Sequence, residues 1–172
     1  MKILVAEDER ASRARIVAFL RGCGQEPIAV SNGEEAWNYL REDPVSLVIT
    51  DWLMPELDGP GLIRRVRSSP HGHGYTYFIM LTSRSEKEAL VEGMEAGADD
   101  FVVKPFDQEE LRVRIRAGER VIKLEHALAE KNQRLQSVNK RMKDELLAAA
   151  RIQVRPSASS PIRGAASVSP LR

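Results

Sequence analysis

The stretch "LVITDWLMPELDG", residues 47–59, places an aspartate, Asp51, directly after a short apolar run. A short apolar run bounded by turn residues is typical of a buried β-strand, and Asp58-Gly59 supplies the turn here. A carboxylate at the end of such a strand is an unfavourable buried charge, a loop-capping residue or a reactive group. The rest of the sequence distinguishes these three alternatives.

The charge of the chain is divided unevenly along its length. Residues 1–106 hold 12 basic and 17 acidic side chains, whereas residues 107–155 hold 12 basic and 8 acidic ones. The basic excess of the second part is small and interleaved with glutamate, so we expect no nucleic-acid partner. At 172 residues, the chain has room for one domain of ordinary size and an additional segment.

The sequence predicts a cytoplasmic protein that does not contact a membrane. Its one cysteine, Cys23, cannot form an intrachain disulfide, which fits a reducing compartment. No apolar run approaches the roughly 18 residues that a membrane-spanning helix needs. The N-terminal "MKILVAEDE" reaches acidic residues too soon for a signal peptide.

Short apolar runs alternate with helix-length amphipathic segments. The runs are "KILVAE", "PIAVS", "SLVIT", "YFIML" and "FVV". Five strands alternating with helices predict an α/β fold with a five-stranded parallel sheet covered on both faces. The last three runs lack clean alternation, as expected for strands buried on both sides.

Polar side chains stand at the carboxyl ends of four of these strands, where ligands bind in open parallel sheets. The first strand ends in Glu7-Asp8 and the third in Asp51. Three converging carboxylates favour a hard divalent cation such as Mg²⁺. Thr82 ends the fourth strand and Lys104 the fifth. A hydroxyl and an ammonium beside a cation suit an oxyanion such as phosphate. Each residue alone is more simply a turn residue; the five together favour a site.

These residues resemble the receiver domain of bacterial two-component response regulators, from Met1 to about Gly118. The resemblance rests on "VAEDE", "VITDWLMPELDG", "MLTS" and "EAGADDFVVKPF", in that order. It implies a flavodoxin-like (βα)5 fold. It also implies that the protein is a signalling switch rather than an enzyme, and that Asp51 accepts a phosphoryl group from a sensor histidine kinase or a phosphotransfer protein.

The resemblance also implies roles for the other site residues. Glu7, Asp8 and Asp51 would hold Mg²⁺ together with the backbone carbonyl of Leu53. Thr82 and Lys104 would contact the phosphoryl oxygens. Lys104-Pro105 matches a cis peptide of the family, and Phe101 matches an aromatic that moves inward when the threonine moves. In-line positioning and charge neutralisation, which phosphoryl transfer requires, fit the same residues.

The last helix continues far beyond the length that a receiver needs, without a proline before Pro156. From Val121 onward, eight of ten a and d positions are apolar, which predicts a coiled coil and a homodimer. The predicted seam residues that we single out are Val121, Leu124, Leu128, Leu135, Val138, Met142 and Ile152. Lys131 and Glu145 are the two polar positions.

The predicted organisation is a receiver domain at 1–118, a coiled-coil signalling helix at 119–153 and a disordered tail at 154–172. "MKDELLAAARIQ" resembles the linker to protein phosphatase 2C-like output domains, and a similar helix leads to diguanylate cyclase domains. The residues argue against two other functions. A Mg²⁺-dependent aspartyl phosphohydrolase would want an acid where Leu53 stands, and a transcription factor would need a recognition module after Gly118.

Overall fold

The computed structural model describes residues 1–69, 74–83 and 87–153, with the backbone alone at 87–90 and 150–153. The predicted tail at 154–172 and the side chain of Ile152 lie outside the described residues. No helix in the described ranges is long and apolar enough to cross a membrane.

Five parallel strands form one sheet in the order β2-β1-β3-β4-β5. The strands are β1 (Lys2–Ala6), β2 (Glu26–Val30), β3 (Leu47–Asp51), β4 (Tyr77–Thr82) and β5 (Asp100–Val103). The helices are α1 (Arg10–Gly22), α2 (Gly33–Glu42), α3 (Gly59–Arg67), α4 (Lys87–Glu95) and α5 (Gln108–Gln153). The predicted flavodoxin-like fold and the extended last helix are confirmed.

Alternate strand residues supply two separate core clusters, as the two-residue repeat of a strand requires. Ile3 and Val5 face one cluster, which includes Leu20 of α1 and Leu111 of α5. Leu4 faces the other cluster, where α2 and α3 pack. The sheet is therefore covered on both faces. The run in β5 is the exception among the predicted doubly buried runs: Val103 is 37% exposed and Phe101 is half-buried because β5 lies at the sheet edge.

Two of the helices that follow the strands, α2 and α3, begin at side-chain caps. The Oδ1 atom of Asn32 accepts a hydrogen bond from the backbone N–H of Glu35 (2.7 Å), and the Glu35 carboxylate accepts one from the N–H of Ser31 (2.8 Å). Asp58 caps α3 by accepting from Gly61 (2.7 Å). Asn32 and Asp58 thereby satisfy N–H groups that a helix start leaves unpaired.

The chain divides into two compact units, Met1–Glu130 and Lys131–Arg172. In the first unit, α5 packs on the core beyond the predicted boundary at Gly118. Ile122 is 5% exposed within the first cluster, and Val121 is partly buried against it. In the second unit, the described side chains of α5 are exposed.

Candidate functional site

The strand register brings the predicted site residues to one edge of the sheet. Ala6 pairs with Thr50, so the residues that follow them, Glu7 and Asp51, lie side by side. Asp51 pairs with Leu81 of β4. Thr82 pairs with Val103, which places Lys104 one residue beyond. The central position of β1 and β3 in the sheet is what makes the carboxylates neighbours.

Three carboxylates form a compact cluster at this edge. One oxygen from each of Glu7, Asp8 and Asp51 lies within 4.8 Å of the others. Glu7 is fully buried, Asp8 is exposed and the side chain of Asp51 is 13% exposed. Mg²⁺ prefers one or two carboxylates and retains several waters, so a partly open set of hard oxygen ligands fits this ion.

Lys104 joins two of these carboxylates. Its Nζ donates to Glu7 Oε2 (2.7 Å) and to Asp51 Oδ2 (2.8 Å). Its backbone N–H donates to the carbonyl of Thr82 (2.7 Å). The peptide bond between Lys104 and Pro105 is cis. One ammonium group therefore offsets part of the negative charge of Glu7 and Asp51.

Burial and hydrogen bonding act in opposite directions on the pKa of Asp51. Burial, together with the nearby charge of Glu7, raises the pKa of Asp51 to about 6, although hydrogen bonds from Lys104 and the Trp52 N–H act to lower it. Burial alone would lower the pKa of Lys104, but its hydrogen bonds to Asp51 and Glu7 raise it above the ordinary value. At neutral pH, Asp51 is mainly ionised and Lys104 is charged.

The backbone around Asp51 is fixed from two sides. The N–H of Trp52 donates to Asp51 Oδ1 (2.7 Å) and to the carbonyl of Leu81 (2.8 Å). Gly59 opens α3 against this segment, and a Cβ on Gly59 would lie 2.3 Å from the carbonyl oxygen of Asp51. Only glycine permits such a close approach. The Trp52 ring is 4% exposed, while the Leu53 side chain is 55% exposed.

Phe101 packs inward beside α4. A Cβ on Gly93 would lie 2.6 Å from the Phe101 ring and 3.0 Å from the Trp52 ring, so Gly93 provides the space that these rings fill. Phe101 is half-buried against the second core cluster. Thr82, the residue predicted to act with Phe101, has a fully buried side chain.

Sequence reasoning missed several residues around the acidic cluster. The Ser12 hydroxyl donates to Glu7 Oε2 (2.9 Å), and Arg13 Nη1 donates to the carbonyls of Glu7 (2.5 Å) and Asp8 (3.1 Å). Both residues lie in α1, five and six positions after Glu7. A polar residue interrupting the buried face of α1 was the available signal for Ser12.

Comparison with known proteins gives the family. The model of the "Response regulator receiver domain" family matches residues 3–116. A relative from Porphyra purpurea, "Probable transcriptional regulator ycf27", is 43% identical over 116 residues, which are 67% of this chain and 46% of that protein. The chain thus matches about half the length of this relative.

Solved structures agree with the sequence match. The signal receiver domain of a signal transduction histidine kinase from Syntrophus aciditrophicus is 32% identical, with a TM-score of 0.66, covering 71% of this chain and 92% of that one. A structure titled "probable two-component system response regulator/GGDEF domain protein" is 30% identical, with a TM-score of 0.65. That match covers 72% of this chain and 50% of the other.

Proposed function

This chain belongs to the response regulator receiver domain family, and we propose that it is a phosphorylation-controlled switch in which Asp51 is the phosphoacceptor. The observation that carries the proposal is the contact of Lys104 with Asp51 (2.8 Å) beside a cluster of three carboxylates. Lys104 contacts both Glu7 and Asp51, and Asp51 is the one of the two that ends the central strand β3.

In the proposed reaction, a carboxylate oxygen of Asp51 attacks the phosphorus of a phosphohistidine on a kinase or phosphotransfer protein. A P–O bond forms, the P–N bond breaks, and the histidine nitrogen keeps the bonding electron pair. Lys104 then moves from the Asp51 carboxylate to the phosphoryl oxygens, where its charge is needed. The Thr82 hydroxyl donates to another phosphoryl oxygen.

The donor set fits Mg²⁺, with Glu7, Asp8, Asp51 and the backbone carbonyl of Leu53 as its proposed protein ligands. When bound, Mg²⁺ would neutralise negative charge on the phosphoryl oxygens. Glu7 and Asp8 would hold the ion beside Asp51. The fully buried position of Glu7 keeps it at a fixed place relative to the acceptor.

The switch is proposed to run from Thr82 to Phe101. When Thr82 moves toward the phosphoryl group, the space beside it admits the Phe101 ring. The ring already packs in the gap left by Gly93 and is only partly buried, so a change in its position would alter the surface formed by α4 and β5.

The alternative function, a Mg²⁺-dependent aspartyl phosphohydrolase, lacks a needed group. Such an enzyme would need an acid two residues after its nucleophile to protonate the leaving group. That position holds Leu53, an apolar side chain that is 55% exposed. The site therefore favours phosphorylation and slow hydrolysis of its own acyl phosphate over turnover of external substrates.

We also propose that α5 forms a homodimer through its seam and carries the signal to an output domain or partner. The support is the heptad spacing of Leu124, Leu128, Leu135, Val138 and Met142, each exposed in the single chain. A protein phosphatase 2C-like or diguanylate cyclase domain remains the proposed output. Light scattering with and without beryllium fluoride, a phosphoryl mimic, distinguishes a permanent dimer from one that needs phosphorylation.

Phosphorylation of the acceptor is tested with acetyl phosphate and Mg²⁺. We expect the intact mass of the wild-type chain to increase by one phosphoryl group, and Asp51→Asn to abolish the increase. Asp43→Asn, which changes an exposed aspartate that contacts Lys2, is the matched control and should be phosphorylated normally. Full phosphorylation of Asp51→Asn would overturn the assignment of the acceptor.

A further inference from the structure

Ser12 is a buried serine whose hydroxyl is directed at the acidic cluster. It lies in the first turn of α1, is 5% exposed and donates to Glu7 Oε2 (2.9 Å). The same oxygen accepts from Lys104 Nζ (2.7 Å). Neither the chemistry of phosphoryl transfer nor the proposed ligand set uses this hydroxyl, although it contacts a residue of that set directly.

The hydrogen bonds of Glu7 are unequally divided between its two oxygens. Oε2 accepts from Ser12 and Lys104, at 2.9 and 2.7 Å. Among the described residues, Oε1 accepts only from the backbone N–H of Glu9, at 3.3 Å. Two strong donors therefore fix Oε2, and Oε1 retains the capacity to bind a cation.

We propose that Ser12 is a positioning residue for the divalent cation site, holding the Glu7 carboxylate so that Oε1 faces the cation. This inference rests on the proposed function. Groups hydrogen-bonded to a metal ligand orient it, and their removal typically weakens metal binding about 10–100-fold. A carboxylate that loses one donor on a fully buried side chain rotates or recruits another donor.

The position of the Glu7 carboxylate depends more on Ser12 once Asp51 is phosphorylated. In the proposed reaction, Lys104 moves to the phosphoryl oxygens and its contact with Glu7 weakens. Ser12 is then the remaining side-chain donor on Oε2. Ser12 lies on α1 and Lys104 follows β5, so the two donors reach Glu7 from different elements.

The surroundings of Ser12 allow a conservative test. A cavity of about 450 Å³ borders Ser12 and is also lined by Phe106 and Leu111. Threonine adds one methyl group beside this open space and keeps the hydroxyl. Ser12→Ala removes the donor and leaves a good helix former in α1. The two variants therefore separate loss of the hydrogen bond from a change in packing.

The experiment measures Mg²⁺ affinity of the full chain by isothermal titration calorimetry. We expect Ser12→Ala to weaken binding by about 10-fold or more, and Ser12→Thr to stay within about threefold of wild type. Ser31→Ala is the matched control: its hydroxyl also donates to a carboxylate, that of Glu35 at 3.0 Å, but at the start of α2. We expect it to leave Mg²⁺ affinity unchanged.

Four outcomes overturn the inference, and they separate it from the proposed function. Wild-type affinity in Ser12→Ala, or equal weakening in Ser12→Ala and Ser12→Thr, rejects the positioning role alone. A wild-type chain that binds no Mg²⁺ rejects the proposed cation site and the inference together. If Ser12→Ala does not fold, Ser12→Cys replaces it: the thiol has a similar shape but is a weaker donor, and wild-type affinity in that variant rejects the role.

Discussion

At the carboxyl end of the sheet, charged groups are held by the chain itself, whereas along α5 the apolar seam is left open to solvent. Lys104 contacts Glu7 and Asp51 within 2.8 Å, and the Glu7 side chain is fully buried. Five predicted seam side chains are instead between 48% and 70% exposed: Leu124, Leu128, Leu135, Val138 and Met142. The geometry of the site is therefore complete within one chain, whereas covering the seam requires a second surface.

The two regions hold energetically unfavourable groups for different reasons. The site concentrates like charges where burial is unfavourable, which is the arrangement that the proposed phosphoryl transfer would need. The seam exposes apolar side chains at regular spacing, which is unfavourable in a free helix and favourable in a coiled coil. Each region thus departs from what stability of the isolated chain would favour, but for a different reason.

The largest expected effect is on the seam. Leu135→Glu places a charge at an a position, and burying an unpaired charge there should cost about 3 kcal/mol or more, roughly a 100-fold weaker dimer. Leu147→Glu is the matched control because both leucines are 61% exposed, but Leu147 occupies an f position outside the seam. Light scattering over a concentration series measures both.

The two variants test which face of α5 is covered in the dimer. Dissociation by Leu135→Glu alone supports the proposed register. Equal dissociation by both variants means that the covered surface of α5 includes Leu147 as well as Leu135, which rejects the proposed register. A monomeric wild-type chain, with and without beryllium fluoride, rejects the homodimer.

The second-largest expected effect is on the free energy of unfolding, through the charge of Asp51. Because the folded-state pKa of Asp51 is raised from 3.8 to about 6, the folded chain binds this proton more tightly than the unfolded chain. The free energy of unfolding therefore falls as pH rises from about 4 to 6. A shift of this size corresponds to roughly 3 kcal/mol, so Asp51→Asn should stabilise the metal-free protein by on the order of 1–3 kcal/mol above pH 6.

Urea unfolding in a chelator, at pH 4 and pH 7.5, measures this difference. The advantage of Asp51→Asn should be much smaller at pH 4, because the carboxyl group is then protonated in the folded state and about half protonated in the unfolded state. A lower stability for Asp51→Asn at pH 7.5 would mean that the Lys104 contact outweighs the cost of burial. Added Mg²⁺ should stabilise the wild-type chain more than Asp51→Asn, since the variant loses one proposed ligand.

The sequence predicted the positions that local chemistry determines and missed those that depend on packing. Asp51 and Lys104 were recognisable because they end apolar runs, and parallel strands bring their ends together. Ser12 was missed because its relation to Glu7 depends on the angle at which α1 leaves β1. The packing of Ile122 was missed because the seam repeat dominates the sequence after Gly118.

The exposure of Leu146 adds a feature that the regular heptad did not predict. Leu146 is 69% exposed and follows Glu145, one of the two polar seam positions. Leu146 lies four residues after Met142, whereas an unbroken heptad places the next seam residue three residues after Met142, at Glu145. An insertion of this kind locally unwinds a coiled coil, so the apolar stripe can continue past Glu145 by moving one residue along α5.

The smallest expected effect lies in the loop that connects β3 to α3. Glu56 has a φ of 66°, the one positive φ at a non-glycine residue in the described ranges, and it is exposed. A side chain in this region costs roughly 1–2 kcal/mol, partly offset by the greater freedom of glycine when unfolded. Glu56→Gly should therefore raise the free energy of unfolding by about 0.5–1 kcal/mol.

Glu56→Ala is the control, because it keeps the Cβ atom and should leave the free energy of unfolding nearly unchanged. Urea unfolding of the wild-type chain and the two variants compares them. A glycine variant no more stable than the alanine variant would show that this loop carries no backbone strain, and that the unfavourable energy of the site lies in its charges alone.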